Sequence, residues 1–276
     1  MRIALVQLAS GTDPSANLAA ACEAITDAAT RGAELVVLPE ATMCSFARPR
    51  PEVAEPVDGP WSQAITELAD RLGVTVVVGI FTATPSGRVR NTLLARGPMV
   101  HAHYDKLHLF DALGYRESDQ IEAGDQVVTF DVDGRTIGLA TCYDLRFPEL
   151  FRELARAGAT LILCPSSWAP GPGKLDQWRA LAVARALDST SVLVAVDQAE
   201  QPWAGHGNRP TGIGHSVVVS AEGQVLTELG NGPDLQIVDV DLDQVEAVRR
   251  RLPVLDNARF MVHLRPRGAP SAADRL

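Results

Sequence analysis

Along this chain, short solid apolar blocks alternate with longer stretches in which apolar residues recur at helical spacing. RIALVQL at the start is a strand-length apolar run, and the polar, proline-bearing GTDPS ends it. Asp13 then offers an N-cap with Pro14 at the first helical position, predicting an alanine-rich helix to about Arg31 that Gly32 stops. ELVVLPE reads as a short buried strand, WSQAITELADRLG as a helix closed by Gly73, and VTVVVGIFT as a fully apolar strand. RNTLLA and MVHAHY form a hairpin around Gly97–Pro98, while VVTFDVDGRTIGLATC turns at Asp133–Gly134, a strong hairpin signal. LRFPELFRELARAG reads as an amphipathic helix, followed by the strand TLILCPS, a helix from about Leu175 to Ser189 and the strand SVLVAVD. GHSVVVSAEGQVLTEL is a further hairpin turned near Glu222–Gly223, and LQIVDVDL with a helix through Arg251 closes the pattern. Residues 105–126 show no clean period and read as a long functional loop.

Strands this apolar have no wet face, so both faces of the sheet are expected to be covered. The alternation of strand and helix predicts an α/β fold, with either two sheets or one large mixed sheet. No internal repeat, low-complexity linker or break in composition divides the chain. Residues 1–262 are therefore read as a single domain, and 263–276 as a mobile or partner-docked tail.

Composition narrows the function. The chain has 276 residues, 46% hydrophobic and 21% charged, which is ordinary for a soluble protein with a sizeable core. A formal net charge of −9 argues against a nucleic-acid partner, and Arg249–Arg251, like Arg265 and Arg267, read as solvated faces. No apolar stretch approaches the roughly 20 residues of a membrane helix, and the first run is too short for a signal peptide. Cys22, Cys44, Cys142 and Cys164 include no CxxC pair, which indicates free thiols in a reducing cytoplasm.

Three segments share one arrangement, in which an apolar strand ends and a reactive side chain follows: LVVLPE at Glu40, HAHYDK at Lys106 and GLATC at Cys142. Residues at the carboxyl ends of strands in α/β proteins converge on a crevice. A carboxylate, an ammonium and a thiol placed together supply a base, an oxyanion stabiliser and a nucleophile. Singly, each has an ordinary reading: a capping residue, a surface lysine and a small core side chain. His101 and His103 share a strand face but have no clear third ligand, so no metal is assigned to them. Cys164 reads as packing.

LPEATM, YDKLHLFD and CYDLRFPEL resemble the three motifs of the nitrilase-like carbon–nitrogen hydrolase superfamily, in its order and at about its spacing. WRALAVARALDSTSVLVAV and GIGHSVVVSAEGQVL are similar to its later segments, so the resemblance runs from Arg2 to about Phe260. It implies a four-layer α-β-β-α sandwich of two mixed sheets flanked by helices. It also implies a homodimer or higher homo-oligomer, for which FPELFRELARAG is a candidate interface. The family's Glu-Lys-Cys constellation falls on Glu40, Lys106 and Cys142, and a second glutamate on Glu117, with Glu122 ranked below it.

The implied activity is a cofactor-free thiol amidohydrolase acting on a small-molecule amide. A cation and a helix N-terminus would favour the Cys142 thiolate. Lys106 and the Tyr143 N–H would hold the oxyanion, and Glu40 would carry the proton. Trp168 in CPSSWAPGPGK is either a pocket wall or packing, and Arg146 either a structural ion pair or a substrate contact. Asp105, where many relatives carry another polar or a basic residue, either shifts the local field or faces solvent. The motif wording is closest to omega-amidases and deaminated-glutathione amidases. Nitrilase or N-carbamoyl-amine hydrolase activity, or a silent scaffold, are the alternatives.

Overall fold

The computed structural model describes residues 1–47, 50–201 and 210–261. The expected tail, 263–276, lies outside the described residues, with Arg265 and Arg267 in it.

The first half of the chain runs β1 (Arg2–Gln7), α1 (Pro14–Thr30), β2 (Leu35–Val37), α2 (Pro60–Leu72), β3 (Thr75–Ala83), β4 (Val89–Gly97) and β5 (Val100–Asp105). A small hairpin of β6 (Asp111–Ala112) and β7 (Tyr115–Arg116) follows. The second half runs β8 (Thr129–Val132), β9 (Arg135–Leu139), α3 (Pro148–Arg156), β10 (Leu161–Ser166), α4 (Lys174–Ser189), β11 (Val192–Asp197), β12 (Val217–Val219) and β13 (Val225–Glu228). β14 (Asp234–Asp239) and α5 (Asp243–Arg251) close it.

There are two six-stranded sheets, ordered β14-β1-β2-β3-β4-β5 and β13-β12-β11-β10-β9-β8. In the first, β1, β2 and β3 are parallel while β14, β4 and β5 join antiparallel. In the second, β9, β10 and β11 are parallel while β8, β12 and β13 join antiparallel. The two sheets thus share one pairing pattern, a repeat of topology that no similarity of residues announces.

Alternation along the strands sets the layers. Ile3, Leu5, Leu35, Val37 and Val77 point inward to a core shared with Ile137, Leu139, Leu161, Leu163 and Val194 of the second sheet. Ala4, Val6, Val36, Leu38, Val76 and Val78 point the other way, onto Ala21 and Ile25 of α1 and Trp61 and Ile65 of α2. The period of two in a strand makes this division. The apolar side of α3, with Leu150, Phe151 and Leu154, is buried within the chain in the same core as the second sheet. The side of FPELFRELARAG considered for an interface is therefore turned inward. Edge strand β13 differs from the expectation of full cover, since Val225 and Leu226 are exposed.

Two further expectations are corrected. LRFPELFRELARAG is not one helix: a tight 3-10 turn spans Cys142–Arg146, Phe147 breaks away at φ −116° and ψ 89°, and α3 starts at Pro148. The proline ring disfavours helical backbone in the residue before it, so the break is written in the FP dipeptide. Residues 105–126 are also more ordered than a bare loop. They hold the β6–β7 hairpin and a 3-10 turn at Glu117–Asp119, and Ile121 bridges to Val89 on β4.

Candidate active site

The three strand ends meet between the sheets. Glu40 follows β2 and Lys106 follows β5, both of the first sheet, and Cys142 follows β9 of the second. The chain reaches Glu40 through a tight approach, because Gly79 on β3 lies against it. A Cβ on that glycine would sit 2.5 Å from the Ala41 nitrogen and 2.7 Å from the Glu40 Cα.

Glu40, Lys106 and Glu117 are all buried and form one connected cluster. Lys106 Nζ donates to Glu40 Oε1 and to Glu117 Oε2, each at 2.9 Å. Asn91 Nδ2 donates to Glu40 Oε1 at 2.6 Å and to Glu117 Oε1 at 2.9 Å. Glu117 Oε2 also accepts the Phe110 N–H at 2.7 Å, and Glu40 Oε2 accepts the Ser167 N–H at 2.8 Å. The Cys142 sulfur lies 3.6 Å from the Ser167 carbonyl, so one residue touches both base and thiol. Glu122 is held away by Thr84 and Ser86, and Glu117 takes the place beside Lys106.

Electrostatics here differ from the thiolate expectation. Burial pushes the Cys142 thiol well above the usual cysteine range, and the Glu40 charge adds to that while Lys106 opposes it. Burial also raises Glu40, opposed by Lys106 and reinforced by Glu117, which turns an ordinary carboxylate into a stronger base. Burial alone would lower Lys106, but the Glu117 and Glu40 charges outweigh it, so its ammonium is held well above the usual lysine range.

Cys142 has φ +48°, in the left-handed region that side chains disfavour, so the turn that carries it is held from outside. Asp144 does the holding. It is fully buried and accepts the Thr141 N–H at 2.7 Å, the Tyr104 hydroxyl at 2.7 Å and the His108 N–H at 3.2 Å. It therefore ties the nucleophile turn to the segment that carries Lys106.

The cluster opens into a pocket lined by Phe110, Tyr143, Arg146, Trp168, Lys174 and Pro210, among others. Trp168 is a wall: its ring packs at 5.4 Å from that of Trp178, and its indole N–H donates to the Lys174 carbonyl at 3.1 Å. Arg146 also lines the pocket. Its guanidinium carbon lies 5.1 Å from the Trp168 ring centroid and its Nη2 donates to Gln177 at 2.7 Å. Of the two readings of Arg146, the structural ion pair is not formed, since among the described residues no carboxylate meets it. Asp105 is engaged by Arg90 at 2.9 Å and Thr92 at 2.7 Å, outside the pocket lining.

Asn91, Ser167, Asp144 and Lys174 were missed from sequence. Asn91 left a signal, as a polar residue heading the apolar block NTLLA. Ser167 left none, because only its backbone takes part.

Comparison with known proteins places the chain in a family. Residues 2–250 match the family profile described as carbon–nitrogen hydrolase. A Mycobacterium tuberculosis protein described only as a hydrolase is 49% identical, covering 96% of this chain and 98% of its own length. The omega-amidase of Homo sapiens is 32% identical over 94% of this chain and 95% of its own. The deaminated glutathione amidase of Escherichia coli O157:H7 is 34% identical over 86% and 88%. Among solved structures, Saccharomyces cerevisiae Nit3, a nitrilase-superfamily member, superposes with a TM-score of 0.83 at 29% identity, covering 94% of this chain and 97% of that one. A mutant amidase from Nesterenkonia, with the acetamide moiety of fluoroacetamide on its active-site cysteine, gives 0.77 at 27% identity, covering 94% of each chain.

Proposed function

From the premise that the chain belongs to the carbon–nitrogen hydrolase family, we propose that it hydrolyses the terminal amide of a small acid through a thioester on Cys142. The observation that carries this reading is the shared geometry of Glu40 and Cys142. The carboxylate of one and the sulfur of the other both contact Ser167 and face one pocket. Substrate entry brings the amide carbon to the sulfur. As the S–C bond forms, Glu40 takes the thiol proton. Lys106 has three donors and uses two on carboxylates, which leaves one N–H for the oxyanion beside the Tyr143 N–H. The C–N bond then breaks, and Glu40 returns the proton to the leaving nitrogen, giving ammonia and a thioester. Water attacks the thioester with Glu40 again as base, and the C–S bond breaks to give the carboxylic acid and the free thiol. Glu117 positions Lys106 throughout.

The omega-amide reading is supported by the human and bacterial relatives named above and by the cations at the pocket. It is tested by incubating the protein with a panel of omega-amides, nitriles and N-carbamoyl amines and measuring ammonia. Omega-amides are expected to turn over fastest, with an acyl mass trapped on Cys142. Cys142→Ala should lose at least about 1,000-fold in kcat. Ammonia release at the wild-type rate from that variant rules the mechanism out.

A further inference from the structure

A buried polar pair, Asp197 and Gln198, closes the otherwise apolar run VLVAV at the end of β11. The Gln198 side chain crosses from this sheet to the other. Its Oε1 accepts the Ser10 N–H at 2.9 Å, and its Nε2 donates to Ser10 Oγ at 3.0 Å and to the Glu40 carbonyl at 2.9 Å. Among the described residues no backbone N–H meets that carbonyl. A buried carbonyl without a donor is costly, so the Gln198 amide is its hold.

The turn held in this way is strained. Ala41, the next residue, is buried at φ +57°, in the left-handed region that side chains disfavour. Backbone so placed keeps its orientation only where surrounding contacts fix it. Gln198 is itself anchored, since its N–H donates to the Ser166 carbonyl at 3.0 Å and its carbonyl accepts the Gly214 N–H at 2.9 Å. Ser167, next to that anchor, gives its N–H to Glu40 Oε2 and lies against the Cys142 sulfur. The second sheet thus grips Glu40 twice, at the carboxylate through Ser167 and at the backbone through Gln198. A second buried glutamine, Gln7 of β1, makes the opposite crossing without touching the site. It accepts the Ser216 N–H at 3.0 Å and hydroxyl at 2.7 Å, and donates to the Gly230 carbonyl at 2.8 Å. The sheets are therefore joined independently of Gln198, whose reach goes to the base.

We propose that Gln198 is a positioning residue for the reaction. Through the Glu40 carbonyl it sets how the carboxylate stands to the Cys142 sulfur across the join between the two sheets. It lies outside the pocket lining and touches no substrate. The inference rests on Glu40 acting as base and is independent of the acyl group. Proton transfer is steep in distance, so a base released at its backbone loses rate rather than substrate affinity.

The probe is iodoacetamide, with labelling of Cys142 followed by mass spectrometry. The S–C bond forms as the C–I bond breaks, iodide leaves and Glu40 takes the thiol proton. Gln198→Met, matched in length but without a donor, should slow labelling at neutral pH by about ten-fold. Its kcat on an omega-amide should fall similarly, with KM within about two-fold of wild type. In a Glu40→Gln background, where labelling is already slow, Gln198→Met should change the rate by less than about two-fold, because no base remains to be positioned. Equal slowing in both backgrounds means general loosening and overturns the role, as does full-speed labelling in folded Gln198→Met. Should that variant fail to melt cooperatively, Ser10→Ala, which removes the hydroxyl that orients the amide, carries the same comparison with an expected slowing of about three-fold. Labelling of Glu40→Gln as fast as wild type sinks the base assignment, and the proposed mechanism with it. Slow Glu40→Gln beside full-speed Gln198→Met sinks this inference alone.

Discussion

A single side-chain amide, that of Asn91, donates to two buried carboxylates at once and so helps decide the charge state of the base. Burial raises Glu40, and the Asn91 hydrogen bond is one of the contacts that hold it down. Asn91→Ala removes that restraint, so Glu40 rises further and stays protonated to higher pH. The acid limb of the kcat/KM profile should move to higher pH, with kcat falling about ten-fold or more at neutrality. A profile whose acid limb stays in place refutes this coupling. Asn91 also shows what sequence reveals at this scale. Glu40 and Cys142 were legible because each closes an apolar run, and Lys106 and Glu117 because the motif resemblance placed them. Ser167 was not, since a backbone N–H and carbonyl have no residue identity to read. Lys174 was hidden in a Gly/Pro loop whose path no periodicity describes.

Elements decide whether those residues meet. β3 can pass under Glu40 only because position 79 has no side chain. Gly79→Ala must push the Glu40 backbone away, costing about 1–3 kcal/mol by overpacking and lowering kcat by more than about ten-fold. A melt and a kcat both at wild-type values would contradict it. At the end of β11, Asp197 gathers two pocket-lining segments, accepting the Trp168 N–H and the Ile213 N–H at 2.7 Å each. Burial pushes its carboxyl up from 3.8 to about 8, against the pull of those bonds. A folded value above the unfolded one means that this group's contribution is full below about pH 4 and is lost as pH rises to 8. The melting temperature of Asp197→Asn minus that of the wild type should therefore climb between pH 5 and 8 and then level off. Parallel curves across that range argue against it. Most elements were readable from period and caps, including the Asp133–Gly134 hairpin, whose two turn residues both take positive φ. The broken helix after Cys142 was misread because the amphipathic spacing continues straight through Phe147–Pro148, while the backbone does not.

For the molecule as a whole, the site is divided between two sheets of one pairing pattern. The first contributes Glu40, Asn91 and Lys106, and the second Cys142, with Ser167 following β10 and Lys174 opening α4. Periodicity could place strands and helices but left open whether they form one sheet or two, since that rests on register and pairing across distant parts of the chain; the motif resemblance supplied the two mixed sheets that the fold has. The duplicated pattern was invisible for the same reason: it is a repeat of strand order and direction. One pairing has a further consequence. β1, from Arg2 to Gln7, takes its outer partner from β14, from Asp234 to Asp239, near the far end of the chain. At about 5–20 residues per second, a ribosome makes β14 roughly ten to fifty seconds after β1. Until then the first sheet has an open edge on the strand beside β2, which leads to Glu40, and long-range pairings of this kind close late. A nascent chain thus carries Cys142 while the edge beside the Glu40-bearing strand is still unpaired, so the first sheet is completed only after the nucleophile has been made.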